Sequence, residues 1–180
     1  MSIYFKKILS VLLITILVGC TDYNIETPEI DNSAILMMNV GAINIVPYEG
    51  AESNILPIAA SALTKQWFER KIKISNKGEA RFEVEIADAR TYVDRASNVK
   101  FNAYTTEIKV NYKLYESQQN LASMVANSSL KMTREVKKDV SIGDEDKFFA
   151  NNNRQLVDRM NREFPAQIEK YFSEKILMTR

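Results

Sequence analysis

Residues 80–89, ARFEVEIADA, decide the fold of this chain. Within them, Phe82, Val84 and Ile86 alternate with charged residues. A period of two places alternate side chains on opposite faces of a β-strand, so that one face packs and the other meets water. Farther along, residues 104–114, YTTEIKVNYKL, repeat this alternation over a longer run. Both runs predict strands of an antiparallel sheet.

The sheet extends in both directions along the chain. Residues 116–120, ESQQN, are typical of a hairpin connection. A third alternating run follows, with its apolar parity at Met124, Ala126, Leu130 and Met132. Before the first run, residues 35–47, ILMMNVGAINIVP, are rich in Ile, Val and Met but alternate poorly. Poor alternation predicts a strand that is buried on both faces.

Two stretches have the spacing of amphipathic helices. The first covers residues 55–72, with Ser53 or Asn54 as a candidate N-cap. Its apolar stripe is Leu56, Ala60, Leu63 and Trp67. The second follows Asp144, Glu145 and Asp146, whose negative charge suits the start of a helix. Its stripe is Leu156, Met160, Phe164, Ile168 and Phe172.

Pro165 interrupts the second helical stretch and predicts either a kink near Phe164 or a split into two helices. The expected order is strand, helix, three strands, helix. We therefore expect an α+β fold, in which a small antiparallel-dominated sheet of about four strands has both helices on one face. Residues 35–180 are long enough to form a single domain with its own core.

The first twenty residues have the three zones of a secretory signal. Lys6 and Lys7 form a positive region, and an apolar run from Ile8 to Val18 follows. This run is far shorter than the roughly 20 residues that a membrane-spanning helix needs, and it fits the apolar region of a signal peptide. The segment closes with Leu17-Val18-Gly19-Cys20, which contains the only cysteine of the chain.

Leu-Val-Gly-Cys resembles the lipobox of bacterial lipoproteins. The resemblance implies cleavage between Gly19 and Cys20, removal of residues 1–19, and a lipid anchor on the Cys20 thiol. Several acyl chains hold a protein at a membrane far more firmly than a single chain does. The alternative is an ordinary signal peptide with a chance cysteine. Residues 20–34, polar and acidic, are predicted to be a flexible tether or, alternatively, a first loop packed on the domain.

The residue after the lipidated cysteine bears on location. In enterobacterial lipoproteins an aspartate directly after this cysteine holds many of them at the inner membrane, whereas Thr21 takes that place here. The resemblance therefore implies a periplasm-facing protein, at the outer membrane rather than the inner one.

Composition excludes several kinds of chemistry. The chain has no histidine, and its one cysteine is assigned to lipid, so Ser-His-Asp catalysis, Cys-His catalysis and the usual zinc sites are absent. Without Lys6 and Lys7, 22 basic residues face 23 acidic ones, which argues against nucleic-acid binding. We expect no cofactor and no metal. A carboxylate-dependent hydrolase stays open, since Asp and Glu are plentiful, although the pair Glu83 and Glu85 is most simply explained as solvated side chains on the polar face of a strand.

Trp67 and Phe68 are the candidate partner surface. They are adjacent on a helix, about 100° apart, so both cannot point to the same core centre. An aromatic side chain left at the surface would dock a partner protein or an acyl chain. The alternative is that both side chains pack. The Met-rich parity of the third strand raises a further possibility, an adaptable apolar pocket for lipid.

The stretch ALTKQWFERKI, followed by GEARFEVEIADA, resembles a group of alphaproteobacterial lipoproteins of unassigned function over most of residues 40–176. More distantly, the layout is similar to the lipopolysaccharide-assembly lipoprotein of the outer membrane and to auxiliary lipoproteins of lipid-trafficking ABC systems. The resemblance implies binding rather than catalysis. We expect a non-catalytic interaction or assembly module with an envelope protein partner, and a lipid or glycolipid carrier as the alternative.

Overall fold

The computed structural model of the chain describes residues 28–30, 35–51, 58–75, 78–94, 100–116 and 120–177. In chain order the elements are β1 (Leu36–Met38), β2 (Ala42–Val46), α1 (Ala60–Lys71), β3 (Ile72–Ile74), β4 (Arg81–Asp94), β5 (Phe101–Tyr115), β6 (Met124–Lys137), α2 (Ile142–Phe172), a 3-10 turn (Ser173–Lys175) and β7 (Ile176–Leu177). The α+β class predicted from the sequence is confirmed.

The strands form two mixed sheets. The larger has the order β2-β4-β5-β6, in which β2 pairs parallel to β4 and the long strands β4, β5 and β6 pair antiparallel. The smaller has the order β3-β1-β7, with β1 parallel to β3 and antiparallel to β7. All three predicted alternating runs are therefore strands of one sheet, joined as expected by antiparallel pairing.

The predicted single strand at residues 35–47 is wrong. It is two strands, β1 and β2, which belong to different sheets and are separated by residues 39–41. Gly41 lies there against Gly78, and a Cβ on Gly41 would come within 2.7 Å of the Gly78 carbonyl oxygen. β2 is also not buried on both faces, since none of its residues is buried, and it forms one edge of the larger sheet.

A β-bulge interrupts β4. Ile86 pairs with Val110 and Asp88 pairs with Lys109, so Ala87 is the extra residue. Because of the bulge, even-numbered side chains face the core before it and odd-numbered side chains face the core after it. Before it the even positions such as Ile86 are buried, and after it Ala89 and Thr91 are buried instead.

Both helices pack on the same face of the larger sheet, here called the inner face. In α1, the ring of Phe68 lies 6.1 Å from the ring of Tyr112 on β5. In α2, the ring of Phe172 lies 5.1 Å from that of Phe82 on β4. The predicted stripe of α2 has almost no exposed surface, with every member at 1% or less. This arrangement confirms the predicted layering of helices on one face.

α2 is one continuous helix of 31 residues with Pro165 inside it, so the alternative of a split into two helices is wrong. Its N-cap is Ser141, whose hydroxyl accepts a hydrogen bond from the Asp144 backbone N–H. Asp144 and Glu145 lie in the first turn, as expected. α1 begins at Ala60, and its N-cap Ala59 makes no side-chain hydrogen bond. The predicted caps Ser53 and Asn54, with Leu56, lie outside the described residues.

Candidate interaction face

The larger sheet has an outer face, opposite the helices, made of polar side chains from every strand. Its members are Asn44, Glu83, Glu85, Arg90, Glu107, Lys109, Asn111, Lys113, Asn127 and Lys131. They follow from the alternation in sequence, since each occupies the parity opposite a buried neighbour. This outer face spans strands of 14 and 15 residues.

Lys113 is the centre of one ion-pair cluster on the outer face. Its Nζ lies 2.8 Å from Glu85 Oε2 and 3.3 Å from Glu83 Oε1. The Tyr115 hydroxyl and the Asn44 amide also donate to Glu83, at 3.4 Å each, and the Asn111 amide donates to Glu85 at 3.3 Å. Two carboxylates thus share one cation and a ring of neutral donors.

A second set of charges lies nearer the bulge. Asp88 Oδ1 is 2.7 Å from Arg90 Nε, and Asp88 Oδ2 is 3.9 Å from Lys109 Nζ. One strand farther, Glu107 Oε1 lies 2.7 Å from Lys131 Nζ and accepts a hydrogen bond from the Tyr92 hydroxyl at 3.1 Å. The outer face is therefore charged but locally neutralised.

These pairs shift the ionisation of their members. The hydrogen bond from Lys113, and then that from Asn111, lowers the pKa of Glu85, while the same contact raises the pKa of Lys113. Hydrogen bonds from Lys131 and Tyr92 lower the pKa of Glu107. Carboxylates held in the charged form are suited to ion pairing, whereas a general acid at neutral pH needs a raised pKa.

The described residues contain no group of three or more Cys, Asp or Glu side chains that could hold a metal ion. The outer face offers alternating charges and amide groups on a broad sheet. Such a surface can bind a partner by electrostatic complementarity, which favours one orientation and steers association.

Trp67 and Phe68 are both fully buried, so the predicted partner surface at these residues is wrong and the packed alternative holds. α1 packs against both α2 and the sheet, so both aromatic side chains have apolar neighbours. The Trp67 ring lies 5.2 Å from the Phe164 ring of α2. The Phe68 ring lies 5.0 Å from Phe164 and 6.1 Å from Tyr112.

The predicted lipidation and cleavage residues, Cys20 and Gly19, lie outside the described residues. Of the predicted tether, residues 28–30 are described, and Ile30 is 2% exposed within the main core. Ile30 therefore fits the packed-loop alternative, and for the rest of residues 20–34 the tether stays a prediction. None of the described helices is both long enough and apolar enough to span a membrane.

Asn152 and Asn153 on α2 are buried polar residues that the sequence analysis missed. Asn153 has no exposed surface, and neither its amide nitrogen nor its amide oxygen has a hydrogen-bond partner among the described residues. The amide nitrogen of Asn152 is likewise without a partner there. The available signal was the run Asn151-Asn152-Asn153, which at helical spacing places two asparagines next to the apolar stripe.

No family model matches the chain, and none of the curated protein sequences matches it. Among solved structures, a minor lipoprotein from Acinetobacter baumannii is similar at 10% identity and a TM-score of 0.43, covering 78% of this chain and 96% of that one. Rare lipoprotein B from Shewanella oneidensis has 8% identity and a TM-score of 0.39, with coverages of 69% and 94%.

A lipoprotein B from Nitrosomonas europaea has 15% identity and a TM-score of 0.35, with coverages of 74% and 90%. All three proteins are lipoproteins by name. At these identities and TM-scores the similarity transfers neither a function nor a site to this chain.

Proposed function

We propose that this chain is a lipoprotein anchored through Cys20, facing the periplasm from the outer membrane, and acting as a non-catalytic interaction or assembly module of the envelope. The observation that carries the proposal is the outer face, on which charges and amides from four strands are arranged opposite both helices. In this proposal the lipid holds the domain at the membrane and the outer face binds an envelope protein.

The lipobox residues Leu17 to Cys20 support the anchor. The ion pairs of the outer face support binding over catalysis, because Glu83 and Glu85 both pair with Lys113. A hydrolase of envelope polymers would need one carboxyl with a raised pKa, at about 5–10 Å from a second carboxylate. Glu85 and Glu107 instead have lowered pKa values.

A lipid or glycolipid carrier is the second candidate. It is favoured by the methionines of the interior, since Met38, Met132 and Met160 all belong to the main core and methionine adapts to varied apolar ligands. These side chains are at most 4% exposed, so a lipid would have to displace α1 or α2 from the sheet to reach them.

Photo-crosslinking in native membranes tests the proposal. A photoreactive amino acid replaces Lys109 or Asn127 on the outer face, and the control replaces Lys170, which is exposed on α2 on the helix side of the sheet. Mass spectrometry identifies captured proteins and lipids, and separately measures the mass of the N-terminal peptide that carries Cys20.

We expect one identified envelope protein to be captured from Lys109 and Asn127 but not from Lys170, and its capture to weaken when Lys131 is replaced by Glu. Captured lipid without protein favours the carrier. An N-terminal peptide without acyl chains contradicts the anchor, and turnover of an envelope polymer by the purified chain contradicts the non-catalytic role.

A further inference from the structure

Exposed apolar side chains are concentrated where β6 begins. Of the seven large hydrophobic side chains that are exposed in the described residues, three lie within five positions of one another. They are Leu121 at 82% exposure, Val125 at 66% and Met124 at 41%, here called the apolar tip. A cluster of this kind at one end of a sheet is a binding surface more often than scattered single exposures are.

The apolar tip is held in place by hydrogen bonds. The backbone N–H and the hydroxyl of Ser123 both donate to the Leu114 carbonyl oxygen, at 2.7 and 3.0 Å. Val125 lies on the outer parity opposite Lys113, and Met124 lies on the inner parity opposite Leu114. The tip therefore presents apolar groups on both sides of the sheet.

The segment that carries the apolar tip is itself uncharged. The sequence has no charged residue from Ser117 to Leu130, a stretch that includes the whole apolar tip. At the opposite end of β6, Lys137 and Lys138 follow one another, and the Lys138 N–H donates to the carbonyl oxygen of Lys100. The segment that carries the tip can therefore enter an apolar medium without removing charges of its own from water.

The end of β1 lies near the tip end of the larger sheet. The N–H of Asn39, just after β1, donates to the Lys175 carbonyl oxygen at 2.6 Å. The Lys175 ammonium in turn lies 3.1 Å from Glu116, just after β5. Ile30 is packed in the core and lies ten positions after Cys20, at most about 36 Å of extended chain.

We propose that the apolar tip inserts into the interface of the membrane that holds the protein, with Leu121 and Val125 at the boundary between headgroups and acyl chains. The proposal rests on the proposed lipidation of Cys20. Apolar side chains on an uncharged segment bind this boundary in proportion to the apolar area they bury. The tip then fixes the orientation of the domain, with the strands directed away from the membrane.

The test uses the lipidated full-length mature protein in vesicles of phosphatidylethanolamine and phosphatidylglycerol. Val125→Cys carries an environment-sensitive fluorophore, and the matched control is Lys137→Cys, on the same parity and at the other end of β6. The lipidated Cys20 has no free thiol to compete for the label. Both sites are exposed, so neither substitution disturbs the core.

We expect the emission of the fluorophore at position 125 to shift to the blue and to be quenched by doxyl-labelled lipids. The fluorophore at position 137 should show neither change. Leu121→Asp should reduce the quenching at position 125. Equal quenching at both positions, or none at either, overturns the proposal. Energy transfer between two copies labelled at position 125, without lipid quenching, also overturns it and assigns the tip to a second copy.

These outcomes are separable from failure of the proposed function. A chain without acyl groups on Cys20, shown by mass spectrometry, contradicts the anchor and the tip proposal together. A lipidated chain with an unquenched position 125 contradicts the tip alone.

Discussion

The indole Nε1 of Trp67 donates a hydrogen bond of 2.8 Å to the side-chain oxygen of Asn161, and this bond connects α1 to α2. Asn161 lies four residues before Pro165, which has no N–H to donate to the Asn161 carbonyl. The hydrogen bond between Trp67 and Asn161 therefore joins the two helices at the turn of α2 where one backbone hydrogen bond is missing.

Asn161→Ala should lower the free energy of unfolding by about 1–3 kcal/mol, because it leaves the N–H of a fully buried indole without an acceptor. Arg162→Ala, at the exposed neighbouring position, is the control and should change stability by less than about 0.5 kcal/mol. Urea unfolding measures both. If Asn161→Ala lowers stability equally in a Trp67→Phe background, the hydrogen bond is not the cause.

Two glycines mark the place where the two sheets meet. A Cβ on Gly78 would overlap the Asn39 carbonyl oxygen and lie 2.8 Å from its carbon, and these backbone atoms cannot move aside as a flexible side chain would. Gly78→Ala should therefore cost about 1–3 kcal/mol in unfolding free energy.

Gly143 provides the matched control. A Cβ there meets no heavy atom of another part of the described chain within 4 Å, and the residue lies in the first turn of α2. Gly143→Ala should raise stability by about 0.5–1 kcal/mol, since alanine loses less conformational freedom in a helix. Equal effects of the two substitutions in thermal unfolding would contradict the close approach at Gly78.

The long strands and the long helix could be predicted from the sequence because their apolar residues recur at a regular spacing over many positions. Phe82 to Ile86 and Tyr104 to Leu114 alternate strictly, and the stripe from Leu156 to Phe172 recurs every four residues. β1, β3 and β7 have only two or three residues each, which is too short for a period to be recognised. Their pairing depends on tertiary contacts, such as the approach of Gly41 to Gly78 and the hydrogen bond from the Asn39 N–H to the Lys175 carbonyl oxygen.

The candidate surface was harder to predict than the fold. Trp67 and Phe68 point in different directions on α1, and the sequence does not show that α2 and the sheet together cover both side chains. The outer face did follow from alternation, but its ion pairs depend on strand register. Lys113 meets Glu83 directly across the strands, and the bulge after Ile86 changes that register beyond Glu85.

Replacing Asn153 by an apolar residue should raise the stability of the fold. Its amide is buried with neither polar atom paired among the described residues. Asn153→Leu keeps a similar shape and removes both groups, so the free energy of unfolding should rise by about 1–3 kcal/mol. The control Asn151→Leu, at an exposed position of the same run, should stay within about 0.5 kcal/mol of the parent. A loss of stability at Asn153→Leu would indicate that bound water pairs the amide.

The Lys113 cluster should make stability depend on pH in both directions. The pKa of Glu85 is lowered from 4.5, so its stabilising effect is complete above pH 4.5 and is lost as the pH falls through the folded-state value. The pKa of Lys113 is raised from 10.5, so its effect is complete below pH 10.5 and is lost as the pH rises through the folded-state value.

Lys113→Met removes the cation while keeping an unbranched side chain. It should weaken the dependence of the unfolding free energy on pH at both the acidic and the basic end. We expect a loss of less than about 1 kcal/mol at pH 7, since the pair is partly exposed and solvent screens it. Lys65→Met is the control, because Lys65 pairs with Glu69 on the exposed surface of α1 at 3.6 Å. Urea midpoints at pH 3, pH 7 and above pH 10.5 measure the effect, and parallel curves for Lys113→Met and the parent would contradict the assigned cause.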